Sequence, residues 1–265
     1  MRLIDVEDPA DPRLADFLGL RDGAGSHHAR NGTFICEGMV LVERVLQSDV
    51  QVRSVLTTPR KLAHLAAAGM DPDVPVYVIE QHRLNATVGY DFHRGVIASA
   101  VRHSARTVDE LLQDGRCVAV LDGVSDAENV GAIFRSARAL GIDAVLLGDQ
   151  SADPYYRRAV RVSMGATFML PFAAFEGSED PVERVQRAGY VSVALTPDPA
   201  ALPINRLELS PADPVAVFLG PEGGGLTPAV LESADHMIRI PMVPDTDSLN
   251  VGHAAAIAFA RFGVI

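Results

Sequence analysis

Between Val215 and Ala254 the chain twice runs from an apolar, strand-like stretch into a loop suited to a ligand and then into a helix start. The first run, Val215 to Leu219, empties into Gly220-Pro-Glu-Gly-Gly-Gly225, after which Thr227 reads as an N-cap with Pro228 at the first helical position. The second lies within His236 to Met242 and precedes Asp247-Ser-Leu-Asn-Val-Gly-His253, with a helix opening at Ser248. Gly223, Gly224 and Gly225 allow the backbone to approach another group closely or to adopt positive φ. Open α/β sheets bind ligands at the carboxyl ends of their strands. Two such loops in forty residues therefore mark a binding region, although either loop alone reads equally well as a plain turn.

The same alternation reaches back to Cys117. It predicts strands at Val118–Leu121, Ala144–Leu147, Phe168–Leu170 and Tyr190–Leu195, with helices at Val130–Leu140, Tyr155–Val162 and Pro181–Ala188. Strands alternating with helices give a mostly parallel sheet covered on both faces. Ahead of this, Val50–Thr57, Val74–Ile79 and Val96–Val101 read as strands, and Met39–Gln47, Pro59–Ala68 and Gln81–Thr87 as helices, a second and smaller α/β unit. Phe34 to Gly38 reads as a short strand or entry loop, and Pro12 to Leu20 as a short helix. Polar residues from Arg102 to Arg116 form the linker, so the expected division is 1–105 and 106–265. A length of 265 residues suits two domains.

A net charge of −11 argues against a generic nucleic-acid binder, whose phosphate contacts come from a basic surface. The distribution softens that argument. Lys61 is the only lysine, and Arg157, Arg158 and Arg161 sit together, with guanidinium forks that match phosphate geometry. No apolar stretch approaches the roughly 18 residues of a membrane span, and Met1-Arg-Leu-Ile-Asp-Val-Glu-Asp8 is too acidic for a signal peptide. Cys36 and Cys117 have no metal-ligand partner nearby in sequence, so reduced thiols, no metal and a cytoplasmic location are expected.

Taken together, Leu121-Asp-Gly123 through Asn129-Val-Gly-Ala-Ile-Phe-Arg135, the Gly220–Leu226 loop, His236–Met242 and Ser248–Asn250 resemble the ordered motifs of the SpoU (TrmH-like) RNA ribose 2'-O-methyltransferases of the SPOUT superfamily. The resemblance covers about residues 115 to 265, and a weaker one spans residues 30 to 100. It implies an α/β fold whose C-terminal domain carries a deep trefoil knot, preceded by a small L30e-like substrate-binding domain. It also implies methyl transfer from S-adenosyl-L-methionine to a ribose 2'-hydroxyl, with ribosomal RNA ahead of transfer RNA as substrate. Relatives are homodimers through the C-terminal domain, with the last helix, here Ala254 to Phe262, in the interface.

Carried over by residue, the resemblance makes Asn129, Arg135, Glu222, Ser248 and Asn250 catalytic or RNA-facing. Leu219, Gly220, Gly223, Ile240, Pro241, Met242, Leu249 and Asn250 would hold the cofactor. Arg30, Glu37, Arg94, Arg157, Arg158 and Arg161 would meet RNA, with Ser163 and Gly165 in the same stretch. Ser248 serves equally as an N-cap, and Glu37 with Arg94 as a surface pair. Pro221 and the pair Gly252-His253 depart from the family pattern. A non-catalytic RNA-binding or ribosome-associated protein of the same fold is the alternative. A Rossmann-type enzyme lacks its Gly-x-Gly-x-x-Gly turn here, since Asp122-Gly-Val-Ser-Asp-Ala-Glu128 does not supply one.

Overall fold

The computed structural model describes residues 2–21, 31–69, 71–103, 106–177, 179–243 and 246–263. They form two compact units, one of residues 1–103 with 155–169 and one of residues 104–154 with 170–265.

The first unit is built on a five-stranded sheet of β1 (Arg2–Asp5), β2 (Thr33–Glu37), β3 (Val52–Thr57), β4 (Pro75–Val78) and β5 (Val96–Val101), in the order β1-β4-β3-β5-β2. β1, β4 and β3 are parallel, while β5 runs antiparallel to both β3 and β2. Helices α1 (Met39–Leu46), α2 (Leu62–Ala67) and α3 (Gln81–Val88) connect the strands. Leu14, Phe17, Ile35, Leu56, Ile79, Leu84 and Ile97 share one buried cluster. The expected helix near Pro12 is a 3-10 turn, Pro12–Phe17, whose first turn is held by the Asp11 carboxylate accepting from the Arg13 amide. β1 was not anticipated, because a four-residue, mostly exposed edge strand carries no apolar alternation.

Residues 155–169 depart from the expected series. The Arg157–Val162 helix buries Ala159 and Val160 within the first unit, and Phe34 of β2 stacks on Tyr155 with ring centroids 4.6 Å apart. The strand expected at Phe168–Leu170 is absent. Gly165, at φ 88°, turns the chain into a 3-10 turn over Ala166–Phe168, and the Phe168 ring packs 5.6 Å from that of Phe34. The hydrophobicity that suggested a strand is that of a buried turn.

The second unit has seven strands, all parallel: β6 (Cys117–Leu121), β7 (Ala144–Leu147), β8 (Phe172–Ala174), β9 (Val191–Leu195), β10 (Leu202–Pro203), β11 (Val215–Leu219) and β12 (His236–Arg239), in the order β10-β12-β9-β11-β6-β7-β8. Every residue of β6, β7 and β11 is buried, the continuous apolar run of a strand covered on both faces. The chain moves outward from β6 to β7 and β8, then returns on the other side to β9. The carboxyl ends of β6 and β11 thus meet at the point where strand order reverses, the crevice where such sheets take ligands.

Helices α4 (Val108–Asp114), α5 (Ala127–Ala139), α6 (Pro181–Arg187), α7 (Pro228–Ser233) and α8 (Val251–Phe262) complete the unit. Thr107 and Glu110 form a reciprocal capping box on α4. On α5, the Asp126 carboxylate accepts from the amides of Glu128 and Asn129. α8 packs against α5, and Gly252 makes the approach possible: a Cβ there would lie 3.0 Å from the Ala132 Cβ.

Candidate active site

The second unit carries a cavity of about 680 Å³ at the carboxyl ends of β9, β11 and β12, closed on one side by the start of α8. Leu219, Ile240, Met242 and Leu249 give it apolar walls, while Glu222, Asp247, Ser248 and Asn250 supply its polar groups. Gly220 and Gly223 also line it. Gly220 is required by a close approach, since a Cβ there would fall 2.5 Å from the Leu226 nitrogen and 2.6 Å from the Gly225 carbonyl carbon. The loop folds back on itself through the Gly225 amide, which donates to the Pro221 carbonyl at 3.1 Å, with Gly223 and Gly225 at φ 85° and 67°.

Asn250 joins three parts of the chain. Its amide nitrogen donates to Asn129 Oδ1 at 2.8 Å and to Glu222 Oε1 at 2.6 Å, so each N–H has one acceptor. Its Oδ1 accepts from the amides of Gly252 at 2.9 Å and His253 at 3.4 Å, which makes Asn250 the N-cap of α8. The cap therefore falls two residues after Ser248, whose place is in the cavity wall. Asn129 is 9% exposed and is set in register by the Asp126 cap one turn earlier. The first turn of α5, the loop after β11 and the start of α8 are thus tied by one side chain.

Arg135 lies on α5, exposed and outside the cavity lining. Six residues from Asn129, it sits about 120° round the helix axis from that side chain. Pro241, expected among the cofactor contacts, is also exposed and outside the lining, although Ile240 and Met242 on either side contribute. His253 is exposed at the start of α8. Thr196 and Pro197 line the cavity and were not anticipated, nor was Asp247. The position of Thr196 just after strand β9 was the available signal, because the ends of parallel strands converge there.

Asp122 follows β6 directly. Burial and the neighbouring Asp149 and Asp180 carboxylates raise its pKa above the ordinary aspartate range.

In the first unit the RNA-facing expectations separate. Glu37 is not part of a surface pair: it is 4% exposed, and its carboxylate accepts from Arg157 at 2.6 Å and from the Tyr90 hydroxyl at 2.7 Å, with Arg161 at 3.7 Å. The Arg157 guanidinium also lies over the Tyr90 ring, 5.1 Å from its centroid. Burial first, and the Glu37 carboxylate second, push the Tyr90 phenol well above its usual pKa. A buried carboxylate with these partners faces inward, so Glu37 and Arg157 hold the unit together. Arg94 is exposed and donates to the Glu37 carbonyl at 3.2 Å. Arg158 is half-buried and Arg161 35% exposed at its side chain. Ser163 is fully enclosed, its hydroxyl donating to the Val160 carbonyl and accepting from the Gly165 amide. Gly165 is enclosed too, with the Phe168 ring 2.6 Å from where a Cβ would stand, so neither residue is placed to touch a phosphate. Arg30 lies outside the described residues.

The fold and the site together define an α/β protein with a nucleotide-sized cleft at the carboxyl ends of neighbouring parallel strands and an amide–carboxylate cluster on its rim. Residues 116–260 match the model of the SpoU rRNA Methylase family, and the chain belongs to that family. It is 38% identical over 258 residues to an uncharacterized tRNA/rRNA methyltransferase of Mycobacterium tuberculosis, covering 96% of this chain and 90% of the relative. It is 29% identical to the 23S rRNA guanosine-2'-O-methyltransferase RlmP of Bacillus subtilis, covering 95% and 96% of the two chains. Among solved structures, an AdoMet-bound rRNA methyltransferase from Sinorhizobium meliloti superposes with a TM-score of 0.81 over 98% of this chain and 97% of its own, at 23% identity, a likeness of fold.

Proposed function

We propose that this protein transfers a methyl group from S-adenosyl-L-methionine to a ribose 2'-hydroxyl of ribosomal RNA. The observation that carries the reading is the Asn250 amide holding Asn129 and Glu222 together at the rim of the cavity. The cavity fits the cofactor: its volume suits a nucleoside with a short side arm, its walls are apolar, and the described lining contains carboxylates and no basic side chain. Leu219, Ile240, Met242 and Leu249 would flank the adenine, and the Gly220 and Gly223 backbone would come close to it.

S-adenosylmethionine, when bound, supplies a methyl group already activated on a sulfonium. What remains for the protein is alignment and removal of one proton. Asn129, Asn250, Glu222 and Ser248 present fixed polar groups at the cavity rim, where the ribose has to arrive. Arg135 would meet the incoming ribose and its phosphate. A guanidinium stays protonated and is a poor base, so its part is to ease the hydroxyl's loss of a proton electrostatically. With the cofactor bound, its methyl would pass to the ribose oxygen while the hydroxyl proton would leave to a phosphate oxygen or water. Arg94 and Arg161, with Arg158 and Arg30, are the remaining candidates for RNA phosphates.

Finer features belong to the same reading: a trefoil-knotted C-terminal domain, an L30e-like N-terminal domain that also takes in residues 155–169, a homodimer through α8, and residence in the cytoplasm. Ile257, 41% exposed on α8, supports an interface there. The relatives named as 23S rRNA methyltransferases support ribosomal over transfer RNA.

The test is methyl transfer to ribosomal RNA transcripts with the product mapped at the ribose. Arg135→Ala is expected to abolish transfer while calorimetry still finds one S-adenosylmethionine site per chain. Loss of cofactor binding and folding together would make Arg135 structural. Absence of cofactor binding by the unmodified protein, with and without RNA, would remove the enzyme reading. Light scattering that finds a monomer at micromolar concentration would remove the dimer.

A further inference from the structure

The cofactor cavity has an asymmetry of charge that its role in binding adenine does not explain. Its described lining carries the carboxylates of Glu222 and Asp247 and no lysine, arginine or histidine. Glu222 is fixed by the Asn250 amide at 2.6 Å, so its charge has a defined position. Asp247 lines the same cavity, directly before Ser248 and Leu249, which also line it. Neither charge has an ion-pair partner among the described residues of the cavity wall.

Resting on the methyltransferase reading, the chemistry of donor and product makes this asymmetry consequential. The donor bears a carboxylate, an ammonium and a sulfonium, for a net charge of +1. Once the methyl group has left sulfur, the same molecule is a neutral thioether with net charge 0. Shape and adenine contacts are nearly unchanged between the two, so walls such as Leu219, Ile240 and Leu249 hold both equally. We infer that the Glu222 and Asp247 carboxylates make the cavity a charge-selective site, which prefers the sulfonium donor to its spent thioether, with Asp247 as a specificity residue. Product release is then assisted by the reaction itself: methyl transfer removes the positive charge that the carboxylates favour. Glu222 also belongs to the rim cluster, so the selective contribution is isolated at Asp247.

A unit charge several ångströms away in a cavity open to water contributes about a fivefold preference. Calorimetry on the full-length protein should therefore show that Asp247→Asn weakens S-adenosylmethionine binding about fivefold, while S-adenosylhomocysteine affinity moves less than about twofold. Raising salt should narrow the donor-to-product ratio in the unmodified protein and leave that of Asp247→Asn nearly flat. Equal weakening of both ligands would overturn the inference, because it would place Asp247 against the shared ammonium or in the loop's structure. If Asp247→Asn binds neither ligand, Asp247→Glu decides: recovery of the donor preference supports the charge, and continued loss of both ligands refutes it. Failure of the unmodified protein to bind either molecule would instead sink the methyltransferase reading, an outcome distinct from all of these.

Discussion

Replacing Asn250 by aspartate separates two jobs that the structure assigns to one side chain. The Oδ1 atom caps α8 by accepting from Gly252 and His253, whereas the amide nitrogen bridges Asn129 and Glu222. Asn250→Ala removes both. The cap is worth about 1 kcal/mol, and each bridging bond about 1 kcal/mol once the exposure of Asn250 and Glu222 is allowed for. The alanine variant should therefore lose about 2 to 3 kcal/mol. Asn250→Asp keeps an acceptor at the helix start, where a negative charge adds about 0.5 kcal/mol. It loses both donors and sets a second carboxylate against Glu222. Its net cost should be about 1 to 2 kcal/mol, so it should melt above the alanine variant, at about 2 to 4 °C per kcal/mol for a unit of this size. Activity should rank differently. Repulsion between the two carboxylates displaces Glu222 and frees Asn129, so methyl transfer by Asn250→Asp should fall at least about a hundredfold, to the level of Asn250→Ala or below. Thermal melts paired with methyl transfer to ribosomal RNA test this. If Asn250→Asp retains activity within about threefold of the unmodified protein, or if activity merely tracks melting temperature in both variants, the bridge has no role and Asn250 is only a cap.

Three further outcomes are expected. Glu37→Gln should destabilise the first unit by about 3 kcal/mol, because it takes from the Arg157 guanidinium the carboxylate charge it pairs with, whereas Glu37→Gln with Arg157→Met should recover much of that loss; denaturant titration reads both. Gly220→Ala should drop S-adenosylmethionine affinity more than about tenfold and cost about 1 to 3 kcal/mol of stability, since the added methyl meets the Leu226 nitrogen and must move the loop backbone. The buried Cys117 thiol is raised to about 12 by burial, with Asp143 adding to the shift, and the fully buried Cys36 is raised further by burial and Glu37. Both should resist a thiol reagent at pH 8 until denaturant is added. A folded pKa above the unfolded one contributes stability that is complete below the unfolded value, so Cys117 should weaken the fold progressively between about pH 9 and 12; a Cys117→Ala variant with an unchanged high-pH unfolding curve would contradict this.

The parallel sheet was legible because its strands are continuous apolar runs separated by helix starts. β7 falls at Ala144–Leu147 as the sequence reads, and β6 and β11 differ by at most one residue from the expected bounds. What failed to show was tertiary partnership. Nothing local to Arg157–Val162 says that it will cover β2, since its apolar face would suit either unit. β10, two residues long, is too short for any period to register. In the site, Gly220, Glu222 and Asn250 were legible from loops and motif order. Thr196 and Asp247 were not, because a polar residue at a strand end looks like any other until the neighbouring strand ends converge on it.

The return of residues 155–169 to the first unit sets a rule for cutting and grafting this molecule. A fragment ending at residue 103 would retain the Glu37 carboxylate but lack the Arg157 guanidinium paired with it, and Phe34 would lose the Tyr155 and Phe168 rings. The complementary fragment would carry the Arg157–Val162 helix with no β2 to cover. Chimeras that exchange the N-terminal unit between relatives should therefore transplant two separate stretches of chain, with the later one treated as native to the donor of the earlier.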